Sequence, residues 1–107
     1  MSVVSVYAVF ANDGEAERIG RLVVEERLAA CINIFAPCRS IYRWQGKIEE
    51  TVEVPAIFKT ESTKADALIE RIAALHSYDV PCITATPIDR LLRSYADWVE
   101  EAVSGQE

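Results

Sequence analysis

The feature that most constrains this fold is a pair of long segments with strand periodicity, joined by only two residues. Residues 31–44 and 47–60 alternate with a period of two, so successive side chains would lie on opposite faces of a β-strand. Gln45-Gly46 separates the two segments, and because Gly adopts a positive φ easily, the pattern predicts a two-residue hairpin turn. Pro37 cannot donate a ladder hydrogen bond and therefore marks a bulge or an edge.

The length of this hairpin exceeds what the chain can cover by itself. A strand over residues 47–60 extends roughly 46 Å at about 3.3 Å per residue, whereas a compact domain of this chain length has a diameter of roughly 34 Å. The apolar side chains on the projecting part are Ile41, Tyr42, Trp44, Ile48 and Val52. An isolated apolar ribbon is marginal in water and its edges invite pairing. We therefore predict an oligomer in which another subunit covers Tyr42, Trp44 and Ile48.

The remaining segments complete a mixed pattern of strands and helices. Hydrophobic periodicity predicts a buried strand over residues 3–10, followed by a helix over 12–27 that Asn12 caps. After the hairpin it predicts a helix capped by Ser62 or Thr63, then a strand over 82–86 and a terminal helix over 91–103. In the terminal helix Trp98 is expected in the core, and Pro87 is expected to break the preceding strand. The order βαββαβ plus a helix predicts one domain over 1–107, an α/β (α+β sandwich) fold of the ferredoxin-like type.

Charge and cysteine content restrict the partners. The chain has 17 acidic and 11 basic side chains and a net charge of −6, which argues against nucleic acid or an anionic membrane and suits cations. No apolar run approaches the roughly 20 residues that span a bilayer.

The three cysteines are an odd number without a CxxC motif, and the first residues carry no basic segment typical of a signal peptide. These features predict a cytoplasmic protein with reduced thiols.

Five segments, in order along the chain, resemble the CutA divalent-cation-tolerance family. They are EERLAACINI (25–34), SIYRWQGKIE (40–49), KT (59–60), LHSYDVP (75–81) and YADWV (95–99). The resemblance implies a ferredoxin-like subunit in a tight homotrimer whose long hairpins make intersubunit contacts, and it implies a link to copper and other divalent metals. The architecture is also similar to that of the PII signalling proteins, trimers that bind small ligands in clefts between subunits.

Three departures from the family pattern cluster near the expected cleft. Ser77 replaces the usual Pro after the histidine, and Cys82 stands where the family usually has Glu. Leu92-Arg93-Ser94 replaces the Gly-Asn-Pro-like approach to the tyrosine.

The candidate metal ligands are Cys31, His76 and Cys82. His76 is the only histidine, and its imidazole with the Cys82 thiolate would favour copper or zinc over magnesium. Two residues are too few for a complete site, so further ligands would come from another subunit. Alternatively, His76 ends the second helix, where its cation suits the helix dipole, and Cys31 is a small buried hydrophobe.

The candidate ligand-cleft residues are Lys59, Tyr78 and Tyr95. Lysine at the end of the return strand can reach an anion, and the two phenols can hydrogen-bond a ligand or a backbone group. The sequence contains no assignable Ser–His–Asp set, GxGxxG motif or P-loop, so we predict a binding protein rather than an enzyme. Three hypotheses remain: a trimer that binds copper or another divalent ion weakly in metal tolerance, a small-ligand signalling trimer, and a trimeric scaffold for a protein partner.

Overall fold

The computed structural model describes residues 2–105. The predicted domain of 1–107 includes Met1, Gln106 and Glu107, which lie outside the described residues. The elements are β1 (Val3–Phe10), α1 (Asp13–Glu25), β2 (Cys31–Ile34), β3 (Cys38–Trp44), β4 (Lys47–Glu61), α2 (Ser62–Leu75), β5 (Ile83–Pro87) and α3 (Arg93–Ser104).

The strands form one antiparallel sheet in the order β2-β4-β1-β5, and β3 pairs with the first half of β4. This order confirms the ferredoxin-like prediction, with β2 and β3 together taking the place of one long strand. Helices α1 and α2 pack on one face of the sheet, where the even-numbered side chains of β1 are buried. Helix α3 packs at one end of the opposite face, against Val3 and Ala30. The rest of that second face carries no helix of the described chain, and the largest groove described below opens there.

The hairpin of β3 and β4 projects from this core, as predicted. Gln45 and Gly46 form the turn with φ values of 51° and 82°, and the described chain extends 46 Å along its longest axis but only 26 Å and 23 Å across it. Ile41, Ile48 and Val52 are 63%, 62% and 64% exposed, so the apolar side chains of the projection lack cover within the chain.

Several predicted boundaries and burials are wrong, each for a local reason. Helix α1 ends at Glu25 rather than at residue 27, because Arg27 adopts a left-handed φ of 60°. Helix α2 has Glu61 at its N-cap without a side-chain hydrogen bond, so neither Ser62 nor Thr63 caps it. Strand β5 does end at Pro87, as predicted, but it runs over Ile83–Pro87 instead of 82–86, since an edge strand tolerates proline as its last residue. Trp98 is exposed and stacks on Tyr95 at 5.8 Å between ring centroids instead of entering the core.

Candidate functional site

A cleft of about 680 Å³ lies on the helix-free face, between the hairpin, β1 and the loop that precedes β5. We call it the hairpin cleft. Its lining residues are Tyr7, Val9, Arg39, Ser40, Ile41, Tyr42, Trp44, Glu53, Tyr78, Asp79, Val80 and Cys82. Its volume lies within the range of small-molecule sites, roughly 300–1,000 Å³.

Strand alternation explains which side chains reach this cleft. In β1, Tyr7 and Val9 point away from the core face that carries Val6 and Ala8. In the hairpin, residues directly opposite each other share a face, and the pairs on the cleft side are Cys38 with Glu53, Ser40 with Thr51, Tyr42 with Glu49, and Trp44 with Lys47.

Glu53 and Tyr78 form the polar centre of the cleft. Glu53 is only 8% exposed, and its Oε2 accepts a hydrogen bond of 2.8 Å from the Tyr78 hydroxyl. Burial, followed by the hydrogen bond and the charge of Glu53, raises the pKa of Tyr78 to about 12. Burial, followed by the nearby Cys82, Cys38 and Glu53, also raises the pKa of Tyr7. Both phenols therefore stay neutral at physiological pH, and the cleft disfavours additional negative charge.

The loop that carries Tyr78 is fixed to the core through His76. The His76 ring stacks on Phe10, and its Nε2 lies 2.8 Å from the carbonyl oxygen of Val9. Because a carbonyl only accepts, Nε2 carries the proton and donates. The backbone N–H of Tyr78 donates to Nδ1 over 3.0 Å. Both ring nitrogens are thus occupied within the chain.

Glu15 links the same loop to the start of α1. Its Oε1 accepts from the backbone N–H of Ala11 and its Oε2 from that of Ser77, both at 2.9 Å, and the side chain is buried. Burial on its own raises the pKa of this carboxyl, but the hydrogen bonds from Ala11 and Ser77, helped by nearby His76, outweigh it and leave the pKa below its ordinary value.

The predicted metal set of Cys31, His76 and Cys82 is not assembled within the described chain. Cys82 lines the hairpin cleft, whereas the Cys31 thiol lies 3.7 Å from the Tyr95 hydroxyl, beside α3. His76 has no free ring nitrogen. Within residues 2–105, no three or more His, Cys, Asp or Glu side chains are grouped closely enough to hold a metal ion. A single described chain therefore does not bring the three predicted ligands together, because the fold separates Cys31 from the other two and uses His76 internally.

The predicted ligand-cleft residues also divide between two places. Tyr78 lines the hairpin cleft. Lys59 lies opposite Cys31 on β2 and Ser5 on β1, at the end of the sheet that α3 covers, and Tyr95 contacts the same Cys31. Burial, followed by the contact with Cys31, raises the pKa of Tyr95 to about 12. Lys59 and Tyr95 thus both lie beside Cys31, away from Tyr78.

The three predicted interface residues lie on two faces of the hairpin. Tyr42 and Trp44 line the cleft. Ile48 lies opposite Arg43, on the other face, which also carries Ile41 and Val52. The homotrimer itself stays a prediction for this chain.

Sequence reasoning missed the cleft roles of Tyr7, Glu53 and Asp79. Glu53 belongs to an acidic run, and a run of this kind usually marks a solvated strand face. The sequence signal that could have identified Glu53 as a cleft residue is its distance from the Gln45-Gly46 turn. Glu53 pairs with Cys38 at the base of the hairpin, where the ribbon meets β1.

The chain is similar to proteins associated with divalent-ion tolerance. A family model described as CutA1 divalent ion tolerance protein matches residues 4–102. The chain is 44% identical over 98 residues to the divalent-cation tolerance protein CutA of Archaeoglobus fulgidus, covering 92% of this chain and 95% of that protein. The solved structure of CutA from Xylella fastidiosa has a TM-score of 0.93 and 36% identity, covering 96% of this chain and 99% of that one.

One solved structure corrects the predicted location. The Archaeoglobus fulgidus structure, with a TM-score of 0.91 and 42% identity over 94% of this chain and 98% of that one, is described as a periplasmic divalent cation tolerance protein. The prediction of a cytoplasmic protein is therefore wrong, because free thiols such as those of Cys31, Cys38 and Cys82 do not by themselves fix a compartment. Among the described residues, no helix is both long and apolar enough to cross a bilayer.

Proposed function

Because the chain belongs to the CutA1 divalent ion tolerance protein family, we propose that it acts in tolerance by binding copper or another divalent ion weakly in the hairpin cleft, as a homotrimer and without catalysis. The observation that carries this proposal is the convergence of Cys82, Asp79 and Glu53 on one cleft. A thiolate favours copper and zinc, and the carboxylates add negative charge. The net charge of −6 supports attraction of cations to the surface.

The donor set fits weak binding and does not fit a closed structural site. A structural zinc site uses four protein ligands at about 2.0–2.3 Å, whereas one thiol and two carboxylates line this cleft without forming a ready cluster among residues 2–105. Water, or a side chain of a second subunit, would complete the coordination. His76 is left out of this set because both of its nitrogens are engaged.

Zinc titration of the reduced protein tests the metal proposal, since zinc does not oxidise thiols. We expect stoichiometric binding with a Kd below the high-micromolar range. Cys82→Ser should weaken zinc binding by about tenfold, because it replaces the one soft ligand in the cleft. The matched control is Cys31→Ser, which changes a thiol beside Tyr95 and should leave zinc affinity unchanged. Calorimetry that detects no binding, or an equal loss in both variants, would contradict the proposal.

Association with another subunit is supported by the exposed hairpin face that carries Ile41, Ile48 and Val52, of which Ile41 also borders the cleft. Ile41, Ile48 and Val52 are neighbours across β3 and β4, and each is more than 60% exposed in the single chain. A second copy that packs on this face would bury all three side chains.

A small-ligand signalling role is the second candidate, favoured by the volume of the cleft, about 680 Å³. A metabolite that occupies the cleft would raise the melting temperature with concentration. A thermal-shift screen of nucleotides and metabolites without any such increase would count against this role.

A further inference from the structure

His76 joins the end of α2 to the loop before β5, and its ring can accept a hydrogen bond there only while it is neutral. We propose that protonation of His76 is a pH-sensitive switch, which removes the acceptor of the Tyr78 backbone N–H and loosens residues 77–82 in mildly acidic solution. The hydrogen bonds and the ion pair that form the switch lie within one chain, so it does not require the hairpin cleft to be open. It also does not depend on metal binding.

The hydrogen bonds of the His76 ring require one protonation state. Nε2 lies 2.8 Å from the Val9 carbonyl oxygen and carries a proton, whereas Nδ1 lies 3.0 Å from the Tyr78 backbone nitrogen and must be free of one. A proton on Nδ1 would place two N–H donors against each other. The imidazolium therefore keeps the bond to Val9 but cannot keep the bond from Tyr78.

A buried imidazolium needs a nearby negative charge, and Glu15 on α1 supplies it. The His76 side chain is 0% exposed, and its Nε2 lies 3.9 Å from Glu15 Oε1. Burial raises the pKa of Glu15, but the hydrogen bonds from Ala11 and Ser77 outweigh it and keep the pKa below its ordinary value. The Glu15 carboxylate is thus still ionised in mildly acidic solution, when the ring gains its proton.

The other neighbours of the His76 ring come from β1 and from the loop itself. Phe10 stacks on the ring with 5.3 Å between centroids, and the Tyr78 ring lies at 4.8 Å. Both are aromatic surfaces, which attract a cation weakly. Glu53 on β4 is bonded to the Tyr78 hydroxyl rather than to the His76 ring. Among residues 2–105, Glu15 is therefore the charged side chain that pairs with His76.

The switch acts on one attachment of the loop and spares the next. Ser77 N–H donates to Glu15, Tyr78 N–H donates to His76, and the Tyr78 hydroxyl donates to Glu53. Protonation of the His76 ring removes the second of these bonds and leaves the bond of Ser77 in place. The backbone of Tyr78 is then held less firmly, and its phenol is less firmly positioned against Glu53.

The single histidine makes the switch directly measurable, because every imidazole nitrogen signal in an NMR spectrum of the untagged protein belongs to His76. In the whole protein with a chelator present, we expect a neutral ring with its proton on Nε2 at about pH 8 and an imidazolium at about pH 5, the range in which histidine changes charge. The protection of the Tyr78 amide against hydrogen exchange should fall about tenfold with the same midpoint, because the amide loses its acceptor.

The Ser77 amide is the internal control, since its acceptor is Glu15, and it should keep its protection over this range. A ring that stays neutral down to about pH 5 would overturn the inference. So would a neutral ring with its proton on Nδ1, or a Tyr78 amide whose protection does not follow the charge of the ring.

Two variants separate the hydrogen bond from the charge. His76→Asn places an amide oxygen near the position of Nδ1, so the Tyr78 amide should keep its protection at every pH in the range. His76→Gln extends its amide towards Val9 and leaves the Tyr78 N–H without an acceptor, so protection should be about tenfold lower already at about pH 8. Protection that still depends on pH in both variants would contradict the switch. Circular dichroism checks the fold of each variant, and the wild-type titration decides the question if one of them does not fold.

Discussion

Glu15→Ala should lower the free energy of unfolding by about 3 kcal/mol and the melting temperature by on the order of 15 °C. The carboxylate is 6% exposed and accepts backbone hydrogen bonds from Ala11 and Ser77. Alanine removes both acceptors, so the start of α1 loses part of its cap and the loop that carries Tyr78 loses an attachment. Thermal and denaturant unfolding measure the loss directly.

The pH dependence of stability provides a second measure of the same carboxylate. The pKa of Glu15 in the folded protein lies below its ordinary value of 4.5, so the ionised form is stabilised by folding. Its contribution is present above pH 4.5 and is lost as the pH falls through the lowered folded-state pKa. Glu15→Gln cannot titrate, and the difference in stability between it and the wild type should therefore shrink in that acidic range.

Glu17→Ala is the matched control on the same helix. Glu17 pairs with Arg21 at 3.5 Å in an exposed i,i+4 arrangement, which contributes only about 0.3–0.5 kcal/mol. Equal losses of stability in the variants at 15 and 17, or a Glu15→Ala protein as stable as the wild type, would contradict the structural role of Glu15.

The sequence contained enough information for the sheet and the hairpin because these depend on local patterns. Gln45-Gly46 allows the tight turn, and the alternation on either side sets the faces of β3 and β4. Asn12 accepts from the Glu15 N–H, as a capping box requires. In a capping box the Glu15 side chain would also accept from the N–H of Asn12, but here it accepts from the N–H of Ala11. Its second bond, to Ser77, spans 62 positions, which no local pattern reveals.

The composition of the cleft was less predictable because it depends on how distant segments meet. Glu49 and Glu53 are four residues apart in β4 and therefore lie on the same face of the strand, yet Glu49 is exposed and Glu53 is buried beneath Tyr78. Similarly, Cys31 and Cys82 are both candidate metal ligands by residue type, but only Cys82 reaches the cleft, because Cys31 pairs with Lys59 at the other end of the sheet. Periodicity gives the face of a strand, and only the tertiary arrangement shows what covers that face.

The second large effect is expected at the exposed face of the hairpin. Ile48→Lys should weaken the proposed assembly by about a hundredfold or more, because a covered face would have to bury an unpaired ammonium in each subunit. Ile48 is 62% exposed in the single chain, so the substitution should leave the fold of the subunit intact. Native mass spectrometry across a range of protein concentrations measures the change in assembly, and circular dichroism checks the fold.

The matched control for Ile48→Lys is Leu92→Lys. It also introduces a lysine at an exposed apolar residue, 72% exposed at the start of α3 and outside the hairpin. It should retain the mass of a trimer if the interface is the face formed by Ile41, Ile48 and Val52. A trimer that persists in Ile48→Lys would show that this face stays in water, and a monomeric wild type would reject the assembly altogether. Loss of the trimer only in Ile48→Lys would mean that the hairpin is long because it completes its packing on a neighbouring subunit.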